Sequence, residues 1–279
     1  MGLTKIVIGA VAATTLVTGT PTAQAADTVQ TTPTALTKKS KQEWTQTKKA
    51  GRKAMRAALK DTQATSASVA LVSGGKTVWS RTFGRVNTAG KKPSDTTKFG
   101  IGSVGKMVTT TAVMQLVDAG KISLDAPVVQ YVPDFSMKSP QYRQITVRML
   151  LNHSAGLPGT DYADSMSSQP IPSYVDGVLA GLANSHLKTT PGAMNVYCND
   201  CFTLAGVVVE RVSGMGFHDY VKRNILRPLR MRHSTYPTSV PPAGTVAPII
   251  QGGQIQPIEI TNFFAAGGLM STAEDMARL

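Results

Sequence analysis

The chain has 279 residues, of which 42% are hydrophobic and 16% are charged. This length and composition predict a globular protein with a sizeable core, built as one large domain or two modest ones. Two cysteines and an aromatic content of 6% exclude a disulfide-stapled miniprotein, and the low content of charged residues excludes a heptad-repeat rod. The formal net charge of +13 predicts attraction to polyanions.

The first 25 residues have the pattern of an export signal. Lys5 precedes an uncharged run over residues 6–20, and Ala23-Gln24-Ala25 is the small-x-small pattern that signal peptidase reads. The run is shorter than the roughly 20 residues that span a bilayer, so cleavage before Ala26 is favoured over a membrane anchor. We therefore expect a secreted, extracytoplasmic protein without a stable membrane span. Anionic cell-wall polymer is then a reachable partner, and nucleic acid is not.

Residues 26–65 are predicted to form a basic leader followed by a first helix. Residues 26–68 hold nine Lys and Arg residues against three acidic ones. The threonine-rich start predicts disorder, whereas Trp44, Gly51, Met55, Ala58 and Leu59 fall near one helical face. Two interpretations stay open: a solvated first helix of the domain, or an arm that tethers the protein to the wall.

The next elements are a hairpin and then helices. Residues 68–73 and 77–83 are rich in β-formers and flank Gly74-Gly75, which predicts two strands joined by a tight turn. A mostly apolar helix is predicted over residues 104–119, closed by Gly120 and buried. Further strands are barely visible, although two strands alone are not independently stable. Shorter helices are predicted over residues 126–131, 146–151, 171–183, 198–213, 217–226 and 272–279.

Ser103 and Lys106 have the i, i+3 spacing that stacks a hydroxyl and an amine one helical turn apart, as nucleophilic catalysis by serine requires. Two other Ser-x-x-Lys patterns lie in the hairpin turn (residues 73–76) and in a polar connection (residues 185–188). Only Ser103 opens a buried helix, where burial lowers the pKa of Lys106 toward that of a working base. The alternative is an N-capping serine with Lys106 reaching out to solvent.

Seven blocks in fixed order extend the pattern to the end of the chain. They are FGIGSVGK (99–106), AVMQLVDAGKISLD (112–125), YVPDF (131–135), ITVRMLLNHSAGLP (145–158), PG (191–192), YCN (197–199) and GGLMSTAEDMA (267–277). Together they resemble the serine β-lactamase and penicillin-binding protein superfamily, and within it the class C β-lactamase-like branch, which includes D-alanyl-D-alanine carboxypeptidases and esterases. The resemblance covers residues 66–279. It implies an α+β fold with an antiparallel sheet flanked by helices and a mostly helical region.

The resemblance also implies roles for individual residues. Ser103 matches the acylated nucleophile and Lys106 its lysine partner. Tyr197 matches the tyrosine that relays a proton to the leaving group and helps activate the deacylating water, and Asn199 matches the asparagine that hydrogen-bonds the substrate amide. The implied function is an exported serine hydrolase acting on peptidoglycan stem peptides, with β-lactams as acylating mimics and an ester as the alternative substrate. Neither a metal nor an organic cofactor is implied.

Two further features have structural interpretations. His153 lies in a loop of the family that supports the site, and nothing in the sequence pairs it with a metal or a base. Cys198 and Cys201 form a C-x-x-C pattern outside the βαβ context of thiol redox proteins, so a structural or adventitious role is favoured over redox chemistry, and whether they form a local disulfide stays open. Because Cys198 lies between Tyr197 and Asn199, we expect its oxidation to disturb the site.

The third motif of the family, a Lys or His followed by a small residue and Gly, lies on a strand after the GGLMS block. No residue follows Leu279, and the superficial candidate at residues 233–235 continues into Tyr rather than Gly. We therefore expect a fold without its C-terminal strands and an incomplete site. A catalytically silent, wall-associated binding protein stays open as an alternative.

Overall fold

The computed structural model describes residues 44–87, 90–252 and 254–279. The predicted signal sequence, its cleavage before Ala26 and the start of the basic leader lie outside these residues. Within the described ranges, no helix combines the length and the apolar character needed to cross a membrane.

A helix and a hairpin form the first layer. Helix α1 (Thr45–Thr62) is followed by strands β1 (Ser66–Ser73) and β2 (Lys76–Gly84), which pair antiparallel. Gly74 and Gly75 both have positive φ in the connecting turn, a conformation that glycine adopts without steric cost. The predicted hairpin is thus confirmed.

Helix α1 lies against this hairpin and has no buried residue. The helix contacts the hairpin at Gly51, where an added Cβ would lie 2.9 Å from the ring of Trp79. The guanidinium of Arg52 lies 5.5 Å from the centre of the same ring. Glycine at position 51 therefore lets the helix backbone rest on the indole.

In the described ranges, three further strand pairs, each of two residues per strand, lie outside the hairpin. None was predicted, because a two-residue strand is too short to display the alternating pattern that identifies strands in sequence. Each pair is antiparallel, and within the described residues none joins the hairpin. They are β3 (Phe99–Gly100) with β8 (Met270–Ser271), β4 (Met166–Ser167) with β7 (Ile260–Thr261), and β5 (Ile250–Gln251) with β6 (Gln254–Ile255).

The helices begin and end near the predicted residues. They are α2 (Lys106–Asp118), α3 (Val147–Leu151), α4 (Tyr174–Ala183), α5 (Asn199–Ser213), α6 (Phe217–Val221), α7 (Phe264–Gly267) and α8 (Ala273–Met276). The predicted helix over 126–131 is only a 3-10 turn, Val128–Gln130, and the segment 217–226 continues after α6 as a π-helical turn, Lys222–Leu226. The helix predicted over 272–279 is wrong in length, since α8 is capped by Thr272 and ends at Met276.

The core surrounds α2 and α5, which pack against each other. Val108, Ala112 and Val113 of α2 and Leu204 and Val208 of α5 are fully buried. The first eleven residues of α5, from Asn199 to Val209, are all buried. The mixture of packed helices and small antiparallel sheets confirms the α+β class, and the buried start of α5 places the Tyr-x-Asn motif beside α2.

Candidate active site

Ser103 lies in a 3-10 turn, Gly102–Gly105, between β3 and α2. Gly102 has a φ of +53°, which glycine adopts most readily and which turns the chain just before the serine. The α-helix begins at Lys106, so Ser103 precedes its first turn rather than opening the helix as predicted. Ser103 is exposed, whereas the side chain of Lys106 is buried.

Lys106 lies at the centre of the site and donates three hydrogen bonds. Its Nζ lies 3.1 Å from Ser103 Oγ, 2.6 Å from Asn199 Oδ1 and 2.6 Å from the carbonyl oxygen of Ala266. An ammonium group has three donors, so these acceptors satisfy it completely. The amine is therefore held in one position beside the serine.

The electrostatics of Lys106 contain two opposing effects. Burial lowers the pKa of Lys106 because the charged amine loses water, and the neighbouring Tyr197 offsets part of this change. Its Nζ also lies 4.9 Å from the ring centre of Tyr197 and 5.4 Å from that of Phe202. The net pKa is lowered, which increases the population of the neutral amine near neutral pH.

Tyr197 and Asn199 complete the group of four predicted residues. Ser103 Oγ and Tyr197 Oη lie 2.6 Å apart. Tyr197 is 54% exposed, so its hydroxyl lies between solvent and the serine, while Asn199 is buried at the start of α5. Positions separated by more than 90 residues in the chain thus meet within hydrogen-bonding distance, although their catalytic roles remain predictions.

The carbonyl of Ala266 is a part of the site that sequence reasoning missed. It belongs to α7, which lies against the turn that carries Ser103. Thr109 Oγ1 donates to the adjacent carbonyl of Ala265 at 2.6 Å, which attaches α7 to α2. A backbone acceptor has no residue-type signature, so only the GGLMS block that follows could have indicated this segment.

His153 supports the Tyr-x-Asn motif from behind. Its Nδ1 accepts a hydrogen bond from the backbone N–H of Cys198 at 3.2 Å, and its ring centre lies 4.7 Å from that of Tyr197. Burial, and then the charge of Lys106, lower the pKa of His153, which favours the neutral ring that can accept this bond. The geometry fits the structural interpretation of His153.

Cys198 and Cys201 form a disulfide at the start of α5. Cys198 is the N-cap of the helix, and its Sγ accepts from the backbone N–H of Cys201 at 2.9 Å. The hydrogen bond between Ser103 and Tyr197 exists together with this disulfide. The bridge spans the first turn of α5, and the site has the geometry given above with the disulfide formed. The expectation that oxidation disturbs the site stays a prediction.

Asp200, the next residue of α5, is a buried carboxylate that sequence reasoning also missed. Burial raises its pKa to about 6, while the hydrogen bond from the backbone N–H of Asp161 acts in the opposite direction. Thr160 Oγ1 accepts from the backbone N–H of Asn199 at 3.1 Å. The start of α5 thus anchors the loop around residues 160–161 next to the site.

Comparison with known proteins identifies the architecture. The structure resembles a penicillin-binding protein homologue, described as octameric, from Pyrococcus abyssi, with a TM-score of 0.65 and 28% identity over 81% of this chain and 54% of that one. It also resembles a class C β-lactamase, with a TM-score of 0.68 and 21% identity over 80% of this chain and 61% of that one. The fold is that of the serine β-lactamase and penicillin-binding protein superfamily, as the sequence blocks predicted.

The family follows from the sequence itself. The Beta-lactamase family model matches residues 52–279, and the chain belongs to the β-lactamase family. Protein flp of Staphylococcus aureus (strain MW2) is 28% identical over 172 residues, or 61% of this chain and 34% of flp. The probable hydrolase M10 of Phoma sp. is 25% identical over 249 residues, or 77% of this chain and 41% of M10. The chain thus spans about a third of the length of the flp proteins that it matches.

Within the described ranges, no three His, Cys, Asp or Glu side chains are grouped so that they could hold a metal ion. The predicted chemistry uses only the side chains and backbone atoms named above.

Proposed function

We propose that the protein is a serine hydrolase that forms an acyl-enzyme on Ser103. The observation that carries the proposal is the position of Ser103 Oγ, 2.6 Å from Tyr197 Oη and 3.1 Å from Lys106 Nζ. Nucleophile and proton-accepting groups within this range are the signature of an activated serine. Membership of the β-lactamase family supports the same chemistry.

The hydrogen bonds suggest the path of the proton. Lys106 donates to Ser103 Oγ, so the serine O–H is available to Tyr197 Oη. With Lys106 neutral, Oγ bonds to the substrate carbonyl carbon while its proton passes to Tyr197 Oη and the phenolic proton of Tyr197 passes to Lys106 Nζ. The proton held by this pair then moves to the leaving amine or alkoxide, whose bond to that carbon breaks. Water then attacks the ester on Ser103 with the same groups as base, which releases the acid and restores the serine.

Asn199 suggests how a substrate is oriented. Its Oδ1 accepts from Lys106, which leaves Nδ2 as a donor for a substrate carbonyl. An amide substrate offers such a carbonyl next to the bond that is cleaved. We propose peptidoglycan stem peptides as the substrate class, with β-lactams as acylating mimics and simple esters as the second candidate.

The test is covalent labelling followed by intact-mass measurement. Wild type treated with a fluorescent penicillin should gain the mass of one probe, and Ser103→Ala should gain none. Ser73→Ala is the matched control, because Ser73 belongs to a Ser-x-x-Lys pattern at the end of β1, in the hairpin, and this variant should label like wild type. An adduct that persists in Ser103→Ala contradicts the assignment.

The same proposal includes export, which intact-mass measurement also tests. We expect the protein that its natural host secretes to begin at Ala26, as the leader predicts. A species that retains Met1 in that fraction contradicts cleavage. The turnover of a D-alanyl-D-alanine peptide and of a simple ester by this material would decide between the two substrate classes.

A further inference from the structure

A cleft far from Ser103 in sequence gathers positive charge. It lies between α1 and β2, has a volume of about 530 Å³, and is lined by Arg52, Arg56, Arg81 and Lys92. Half-buried Phe83 also lines it. We call this set of residues the cationic cleft. Its volume is within the range of small-molecule sites, roughly 300–1,000 Å³.

Within the part of the chain that the structure describes, the cations that line the cleft outnumber the carboxylates. Arg52 and Arg56 lie one helical turn apart, a spacing at which like charges destabilise a helix. Among the described residues, the one carboxylate in the lining is Asp95, whose Oδ1 accepts from Thr82 Oγ1 at 3.2 Å. The ion pairs found in the described residues are elsewhere, at Arg148–Asp125, Arg211–Asp134 and Arg278–Glu274.

Arg52 contacts the hairpin. Its guanidinium packs over Trp79, so the arginine at the start of the cleft is held by the hairpin. Arg56 is one turn further along α1, and Arg81 is on β2. The cations that line the cavity thus come from helix α1, from strand β2 and from the segment after it that contains Lys92.

We propose that the cationic cleft binds a linear phosphodiester polyanion without bases. Guanidinium groups match the geometry of phosphate oxygens, and several cations around one cavity suit a ligand with repeated negative charges. A flat bilayer surface does not enter a recess, whereas a chain does. The proposal is independent of the hydrolase chemistry.

The experiment compares two variants of equal charge in the full chain. Arg56→Gln/Arg81→Gln/Lys92→Gln removes three cations from the cleft and keeps Arg52, which packs on Trp79. Lys49→Gln/Lys53→Gln/Lys60→Gln removes three cations from α1 that do not line the cleft. Binding of an end-labelled synthetic glycerol phosphate oligomer is followed by fluorescence anisotropy at several salt concentrations.

The cleft variant should bind the oligomer about tenfold or more weakly, since each lost phosphate contact is a charge-assisted hydrogen bond. The slope of log affinity against log salt should fall by about one for each contact. The control variant should stay within about twofold of wild type, and Ser103→Ala should bind like wild type. Circular dichroism checks that each variant is folded. If Arg81→Gln in β2 prevents folding, the cleft variant Arg56→Gln/Lys92→Gln is compared with the control variant Lys49→Gln/Lys53→Gln instead.

Three results would overturn the proposal. Equal losses in the cleft and control variants would mean that net charge alone attracts the polymer. If the wild-type protein does not bind the glycerol phosphate oligomer at low salt, the cationic cleft is not a binding site for it. Tighter binding to phosphatidylglycerol vesicles, or to single-stranded DNA of equal charge, with the loss confined to the cleft variant, would assign the cleft to another ligand.

Discussion

Lys106 is the residue on which the proposed chemistry depends most directly. Its amine is buried, fully hydrogen-bonded and depressed in pKa. A base must be neutral to accept a proton, so a lowered pKa extends its working range downward in pH.

We expect the rate of acylation by the penicillin to rise with pH along a limb whose midpoint lies below 10.5, the ordinary value for lysine. Lys106→Met keeps the length of the side chain but removes the amine, and should lower the rate by about 10²–10⁴ and abolish that limb. Stopped-flow labelling from pH 5 to 10 measures both. A limb that persists in the variant would assign it to another group.

The raised pKa of Asp200 predicts an unusual pH dependence of the free energy of unfolding. Because its pKa rises from 3.8 to about 6 on folding, the folded state binds more protons than the unfolded state between these values. The free energy of unfolding should therefore fall as pH rises from about 4 to about 6, by about 1–3 kcal/mol from this group. Asp200→Asn should flatten this fall, measured by urea denaturation at pH 4, 5, 6 and 7. A slope equal to that of wild type would contradict the prediction.

The sequence predicts side chains of the site better than backbone atoms. The spacing of Ser103 and Lys106 indicates a stacked pair, and the resemblance adds Tyr197 and Asn199. The carbonyl of Ala266 cannot be predicted from the sequence, because every residue has a carbonyl and only tertiary packing brings this one to Lys106. Asp200 is missed for a related reason: a carboxylate in the first turn of a helix is ordinary in sequence, and only the packing shows that it is buried.

At the scale of elements, long segments are predictable and short ones are not. The hairpin is marked by β-formers and a glycine turn, and α2 and α5 by apolar runs. The two-residue strands carry no periodic signal, and the π-helical turn after α6 differs from an α-helix only in its hydrogen bonds. What positions the site is instead the packing of α2, α5 and α7.

Gly206 controls one of these contacts. An added Cβ would lie 2.7 Å from the Cβ of Ala265 in α7, so Gly206→Ala should destabilise the protein by about 1–3 kcal/mol. Since Ala265 precedes the carbonyl that holds Lys106, labelling at Ser103 should also slow.

Gly177→Ala in α4 is the matched control, because nothing lies within 4 Å of a Cβ added there. It should raise stability by about 0.4–1 kcal/mol through helix propensity and chain entropy. Thermal unfolding measures the stability of both variants, and the rate of labelling at Ser103 is measured for both. Equal effects at positions 177 and 206 would show that the contact with Ala265 is unimportant.

At the scale of the whole molecule, the described residues divide into a buried core and an outer layer. The core cluster runs from Val108 to Leu269 and draws no member from α1, β1 or β2. Secondary structure that buries few side chains opens at a lower free energy than core helices.

We therefore expect amide hydrogens of residues 45–84 to exchange faster than those of α5, measured by mass spectrometry of peptides. Gly51→Val should accelerate exchange in this layer only, because the added side chain meets the ring of Trp79. Ala54→Val, at an exposed position of α1, is the control. Uniform acceleration across α5 would contradict a division into layers.

The three acceptors around Lys106 also determine when during synthesis and folding the site is completed. They come from positions 103, 199 and 266, and the last lies 160 residues along the chain from the lysine. A polypeptide that is still being made therefore has the serine long before the amine is fixed beside it. If the proposed chemistry is correct, reactivity begins only when this domain has finished folding, and partly folded chains leave nearby amide and ester bonds untouched.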